Sequence, residues 1–110
     1  MMDKEMMKGN IDLILLSLIA ERDLYGYEMT KKLKRLSNEA YSMSEGTLYS
    51  ALKRMERKGF VTSYWSAPEG ERRKKYYTMT KEGGTELERR QKDWASLHSL
   101  LLKASRAYDT

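Results

Sequence analysis

Leu87, Trp94, Leu101 and Tyr108 stand seven residues apart, with Leu97 and Ala104 between them. A narrow seam of this spacing is what a helix turns toward another helix. With 110 residues, the chain has room for one domain, or one domain plus a single added element. The seam is therefore read as a pairing surface for a second copy, carried on a last helix that Thr80 can cap. Leu87, Trp94, Leu97, Leu101 and Tyr108 are its contact residues. Gly83 and Gly84 are expected to weaken its first turns.

Upstream, Asn10 is placed to cap a helix running to about Glu21. Ile14, Leu15, Leu16, Leu18 and Ile19 make it apolar nearly all round. Such a helix is buried on more than one side. In so small a protein that implies a second covering surface, and Leu15 is assigned to a contact with a partner chain. After the polar turn Glu21-Arg22-Asp23, a helix from about Tyr25 to Ser37 has an apolar stripe of Met29, Leu33 and Leu36. Asn38 to Met43 form a short polar connection. Ser44 offers a hydroxyl to cap a third helix, although Ser42 with Glu45 makes a rival capping box. Leu48, Ala51, Leu52 and Met55 form the buried stripe of that helix, and Gly59 closes it. Phe60 to Trp65 is rich in β-branched and aromatic residues and reads as a strand. A turn at Ala67-Pro68-Glu69-Gly70 returns the chain through a second strand, Arg73 to Met79.

The second and third helices with their connection match a helix-turn-helix, and the hairpin behind them makes it winged. At 100° per residue, the third helix turns Gly46, Ser50, Lys53 and Arg57 away from its apolar stripe, flanked by Thr47 and Tyr49. Small residues at its start allow close approach to a surface, and its N-terminus, capped by Ser44, favours phosphate. Lys53 and Arg57 can reach phosphates or guanine edges. This stripe suits a helix laid into the DNA major groove. Arg72, Arg73, Lys74 and Lys75 are the expected wing cations, a source of sequence-independent, salt-sensitive affinity.

Charge agrees with that reading. The net charge is +5, with fifteen Lys and Arg against eleven acids in residues 1–79 and six against five thereafter. The absence of cysteine excludes disulfides and thiolate metal sites. His98 is the lone histidine, and there is neither a histidine pair nor a phosphate-binding glycine loop. No catalytic residue, cofactor or metal is expected, and the chain is not read as an enzyme. The apolar run Ile14 to Ala20 is too short to cross a bilayer. The first ten residues lack a signal-peptide layout. A soluble, cytoplasmic protein without a membrane partner is expected.

The segments "LYGYEM", "SEGTLYSALKRMERKGF" and "RRKKYYTMTKEG", in this order, resemble the PadR family of transcriptional regulators. The resemblance runs from about Gly9 to Leu101. It implies a winged helix-turn-helix over residues 1–79, a long C-terminal dimerisation helix over 80–110, and repression of nearby genes; two-fold pairing of two such heads makes a pseudo-palindromic operator the expected target. The fold class is thus mainly α with a small β-hairpin. The short chain resembles the compact branch, and "ILLSLI", "SYW" and "KDWASLHSLL" are similar to its multidrug-sensing members. In those, a tryptophan from each subunit stacks on flat aromatic ligands at the dimer centre. By that resemblance Trp94 is the platform, Leu13 and Met6 line the pore, and Asp12 is a further candidate. His98 stands where those members place an acid, and Glu45 stands where the family often has proline. Two other readings stay open: a winged helix that binds protein, and a repressor whose tryptophan merely packs.

Overall fold

A computed structural model describes residues 4–107. The elements run α1 (Lys4–Glu21), β1 (Leu24–Tyr25), α2 (Gly26–Leu36), α3 (Glu45–Arg57), β2 (Val61–Ser66), β3 (Lys74–Met79) and α4 (Lys81–Ala107). The strands form one antiparallel sheet in the order β1-β3-β2. The mainly helical, winged architecture expected from the sequence is present. The strand β1 was not expected: two residues are too short to display an alternating pattern, and Leu24 and Tyr25 join the sheet only because Tyr77 and Tyr76 lie beside them.

Leu15, Leu16, Leu24, Met29, Leu48, Leu52, Met55 and Val61 are almost wholly shielded and join α1, α2, α3 and the sheet into one core. Each such side chain contributes about 1.5–3 kcal/mol through the water it sheds. Leu15 therefore belongs to the protein's own core and not to a partner contact. Its helix is apolar all round because α2, α3, α4 and β3 each pack against it. Leu36, expected on the apolar stripe of α2, is exposed.

The ends of the elements follow from local chemistry. The helix α1 starts two turns before Asn10. That residue lies inside it, and its Nδ2 donates to the Met6 carbonyl at 2.8 Å. Ser44, not Ser42, caps α3: its Oγ accepts from the Thr47 N–H at 3.2 Å. At the other end of α3 the Phe60 N–H reaches the Met55 carbonyl and the Gly59 N–H reaches Glu56, at 2.9 and 3.1 Å. This pair of bonds ends a helix on a left-handed residue, and Gly59 has φ +79°. Thr80 caps α4 as expected, its Oγ1 accepting from the Gly83 N–H at 3.0 Å and donating to the Gly59 carbonyl at 2.6 Å.

Gly83 does more than weaken a turn. A Cβ there would collide with the Phe60 carbonyl. Glycine is what lets α4 cross the end of α3 closely enough for Leu87, 7% exposed, to enter the core. Leu87 thus belongs to the head and not to a seam between chains. Beyond Arg90 the environment changes at once: every side chain from Gln91 to Arg106 is exposed. The Cα radius of gyration is 16.3 Å, against about 13 Å for a compact domain of this length. The projecting end of α4 accounts for the difference.

Candidate nucleic-acid interface

The exposed side of α3 is arranged as the spacing foretold. Gly46, Ser50, Lys53 and Arg57 are exposed, with Thr47 half-buried beside them. The hydroxyls of Ser44 and Thr47 are bonded to each other at 3.0 Å, which fixes the first turn. Among the described residues, Lys53 and Arg57 have no ion-pair or hydrogen-bonding partner, so both cations are available to an anion.

Tyr49 has a second commitment. A Cβ on Gly26 would come within 2.5 Å of its hydroxyl oxygen. The glycine of "LYGYEM" and the tyrosine of "TLYSAL" are two halves of one contact that sets α2 against α3. A larger residue at position 26 would force the Tyr49 ring, which flanks the recognition stripe, to move.

Asp12 is likewise placed by α3. It is 9% exposed, and its carboxylate meets Arg54 at two points, Nη2 to Oδ1 at 2.5 Å and Nε to Oδ2 at 3.3 Å. The Arg54 guanidinium is raised in pKa, first by this hydrogen bond. A two-point pair of this kind fixes angle as well as distance, and here it clamps α1 to the recognition helix. Asp12 does not join Trp94; it lies in the wide groove between α1 and α3.

The wing separates four cations that the sequence presents as one run. Its tip turns at Pro68-Glu69-Gly70-Glu71, closed by the Glu71 N–H on the Pro68 carbonyl at 2.9 Å. Arg72 is exposed and, among the described residues, unpaired. The Arg73 guanidinium lies 5.3 Å from the Trp65 ring centre, and the Lys75 ammonium 5.7 Å from that of Tyr77. Lys74 lies 4.4 Å from the Tyr25 ring centre and donates to the Tyr25 hydroxyl and to Glu71, both at 3.3 Å.

Two groups of cations near this face were not singled out as site residues from sequence. Lys4 and Lys8, carried by the two turns of α1 that the Asn10 cap reading removed, form the wall opposite Ser44, Gly46 and Ser50 in a groove of about 1030 Å³. Their four-residue spacing was the available signal. Lys31 and Arg35 repeat at the same spacing along α2 and, with Arg22, Tyr27, Glu28 and Lys32, line a smaller groove of about 330 Å³.

Between α1 and α4, Met6, Met7, Leu13, Ile14, Gln91 and Trp94 line an open groove of about 380 Å³ with no charged side chain in its lining. Trp94 is 52% exposed, and His98 stacks parallel to it at 5.2 Å and 9°. Leu97 and Leu101 are exposed beyond it, while Tyr108 lies outside the described residues. Leu100 and Leu102 are exposed too, on either side of the heptad line, so the apolar arc is broader than the narrow seam expected. At its base Glu86 is held by Arg89 and Arg90. Burial pushes its carboxyl upward, but the two guanidinium hydrogen bonds prevail and its pKa is lowered.

The model of the family described as "Transcriptional regulator PadR-like family" matches residues 15–89, the core, both helices of the motif, the wing and the root of α4. The chain belongs to the PadR-like family of transcriptional regulators. An uncharacterised protein of Lysinibacillus sphaericus is 31% identical over 101 residues, covering 92% of this chain and 93% of that one. A transcriptional regulator from Clostridium thermocellum superposes with a TM-score of 0.82 at 34% identity, over 91% of this chain and 97% of that structure. Bacillus subtilis PadR, solved in complex with operator DNA, superposes with a TM-score of 0.64 at 28% identity. There the alignment covers 77% of this chain but 46% of that one, so the likeness is to less than half of the longer regulator. The PadR-like family is one of regulators and not of enzymes. Among the described residues no helix is long and apolar enough to cross a membrane.

Proposed function

We propose that this chain is a homodimeric, cytoplasmic repressor that reads a pseudo-palindromic operator with α3 and its wing. The observation that carries the reading is the stripe Gly46, Ser50, Lys53 and Arg57, exposed and with both cations unpartnered, on the third helix of a PadR-like head. Such a stripe has no structural purpose in the free molecule, whereas a major groove supplies the phosphates and guanine edges it can meet.

One head spans only a few base pairs. Two heads joined by a two-fold axis read successive major grooves about 34–36 Å apart. The exposed leucines of the tail support pairing with a second copy, because an apolar arc broader than a two-helix seam needs more than one covering surface. The partner's tail and the partner's α1 together supply two. Residues 80–110 are thus the pairing element, except that their first turns complete the head.

Selection of bound fragments from the source genome gives the operator and its symmetry. On that duplex, Lys53→Ala with Arg57→Ala should abolish specific binding while the chain stays dimeric. Unchanged affinity in this double variant refutes the placement of α3. A protein-binding winged helix, the competing reading, shows no steep salt dependence on any duplex.

A ligand-released form of this repressor is favoured by one observation, the exposed Trp94 over an uncharged apolar groove. A flat aromatic molecule held there between the two copies shifts the population between DNA-competent and incompetent dimers. In a Trp65→Phe background, Trp94 fluorescence should quench with such a compound and operator affinity should fall. Quenching without a change in affinity leaves a repressor with no switch.

A further inference from the structure

The wing has two unlike faces. Strand alternation turns Lys74 and Tyr76 to one side and Lys75 and Tyr77 to the other, and Arg73, just before β3, lies with the second set over Trp65. On the first side Tyr76 stacks on Tyr64 at 5.7 Å and 13°, and meets the edge of Tyr25 at 5.4 Å and 75°. Lys74 sits over Tyr25, and the Tyr64 hydroxyl donates to Asp23 at 2.5 Å, across from the corner between α1 and α2. On the second side the Ser63 hydroxyl donates to Glu56 of α3 at 2.9 Å, which turns this side toward the recognition helix. Here Trp65 is 56% exposed. A large indole left in solvent adds little to the core. What it does carry is the Arg73 guanidinium, which a flat aromatic face orients without neutralising it.

We propose that the wing divides its labour. Arg73, seated on Trp65 beside the recognition helix, is the residue that enters the DNA minor groove, while Asp23 and Tyr64 on the opposite side are positioning residues that set the angle at which Arg73 is presented. Lys74 belongs to the brace and stays off the DNA. The proposal rests on the operator-binding reading and goes beyond it by giving separate tasks to neighbours in one basic run. A narrow, A·T-rich minor groove is where an oriented arginine gains most, because the potential there is most negative.

The test uses the full chain and the genomically selected duplex. If the wild-type chain binds no duplex, the proposed function fails first, and that outcome is distinct from failure here. Given wild-type binding, Arg73→Ala should weaken it roughly tenfold and lower the salt slope by about one. Replacing the A·T pairs under the wing by G·C should weaken the wild type, replacing them by inosine·C should not, and Arg73→Ala should be indifferent to both. Tyr64→Phe and Asp23→Asn, which keep shape, should each weaken binding severalfold with an unchanged salt slope and unchanged melting temperature. Rotation of the wing moves affinity in this way, and loss of a merely structural contact does not. Lys74→Ala should leave the salt slope as it is. The proposal is overturned if Lys74→Ala lowers the slope as much as Arg73→Ala, if Arg73→Ala keeps the preference for A·T, or if both Tyr64→Phe and Asp23→Asn bind as the wild type does.

Discussion

Residues 4–90 and residues 91–106 of this molecule follow different rules. In the head, apolar side chains meet each other and the least exposed acids are paired: Asp12 with Arg54, Glu86 with Arg89 and Arg90, and Asp23 accepts from the Tyr64 hydroxyl. In the tail, Trp94, Leu97, Leu100, Leu101 and Leu102 are about half exposed or more, on a helix that projects past the core. The head is specified by its own chain. The tail is specified toward something outside it, and its apolar surface has a cost in water that a second copy would remove.

The sharpest way to break this division is to cut one leucine from each side of it. Leu15→Ala should lower stability by about 2–5 kcal/mol, as emptied core sites do, measured by urea denaturation at two protein concentrations. A loss that grows on dilution would mean that Leu15 is an interface residue after all. Leu97→Glu with Leu101→Glu should do the reverse: the far-ultraviolet spectrum of the head persists, sedimentation reports a monomer, and operator affinity falls about a hundredfold or more as the second head is lost. A dimer that survives both charges refutes the tail as the clasp.

The same contrast decides what the sequence could disclose. Met29 and Leu33 of α2, the stripe of α3, the caps at Ser44 and Thr80, and the hairpin are local, and spacing is enough to find them; Leu36 shares the spacing but lies at the helix end, beyond the core. Spacing assigns Leu15 and Leu87 to partner contacts because a periodic apolar residue looks the same whether its cover is its own chain or another. What settles each lies far along the chain: α2, α3, α4 and β3 around the helix of Leu15, and the Gly83 crossing that lets Leu87 in. Asp12 was grouped with Trp94 by resemblance, yet its partner Arg54 is 42 residues away, a pairing that periodicity cannot show. Asn10 was a fair cap by residue type. It failed because Lys4 to Gly9 continue the helix and its amide found the Met6 carbonyl. In the recognition stripe the legible part was chemical identity, and the hidden part was commitment: Tyr49 to Gly26, and Lys74 to Tyr25.

Smaller effects refine the boundary. Asp12→Ala should cost about 1 kcal/mol, since Arg54 keeps partial access to water. It should weaken the operator complex while leaving Trp94 fluorescence and its quenching by flat aromatic compounds unaltered. A change in quenching would bring Asp12 back to the Trp94 groove. The smallest effect belongs to Glu86. Its folded pKa lies below the unfolded value of roughly 4.3, so its contribution is complete at neutral pH and is lost as pH falls through the folded value. Glu86→Gln should therefore cost no more than about 1 kcal/mol at pH 7 and nothing in strong acid, read from denaturation midpoints across pH.

The most direct test is the mass of the complex formed on the selected operator, measured by sedimentation at several salt concentrations. Two chains on each duplex, dissociating together as salt rises and failing together when Leu97 and Leu101 carry charge, is the predicted result. One chain on each duplex, bound as tightly as ever by a variant whose tail cannot pair, contradicts the account.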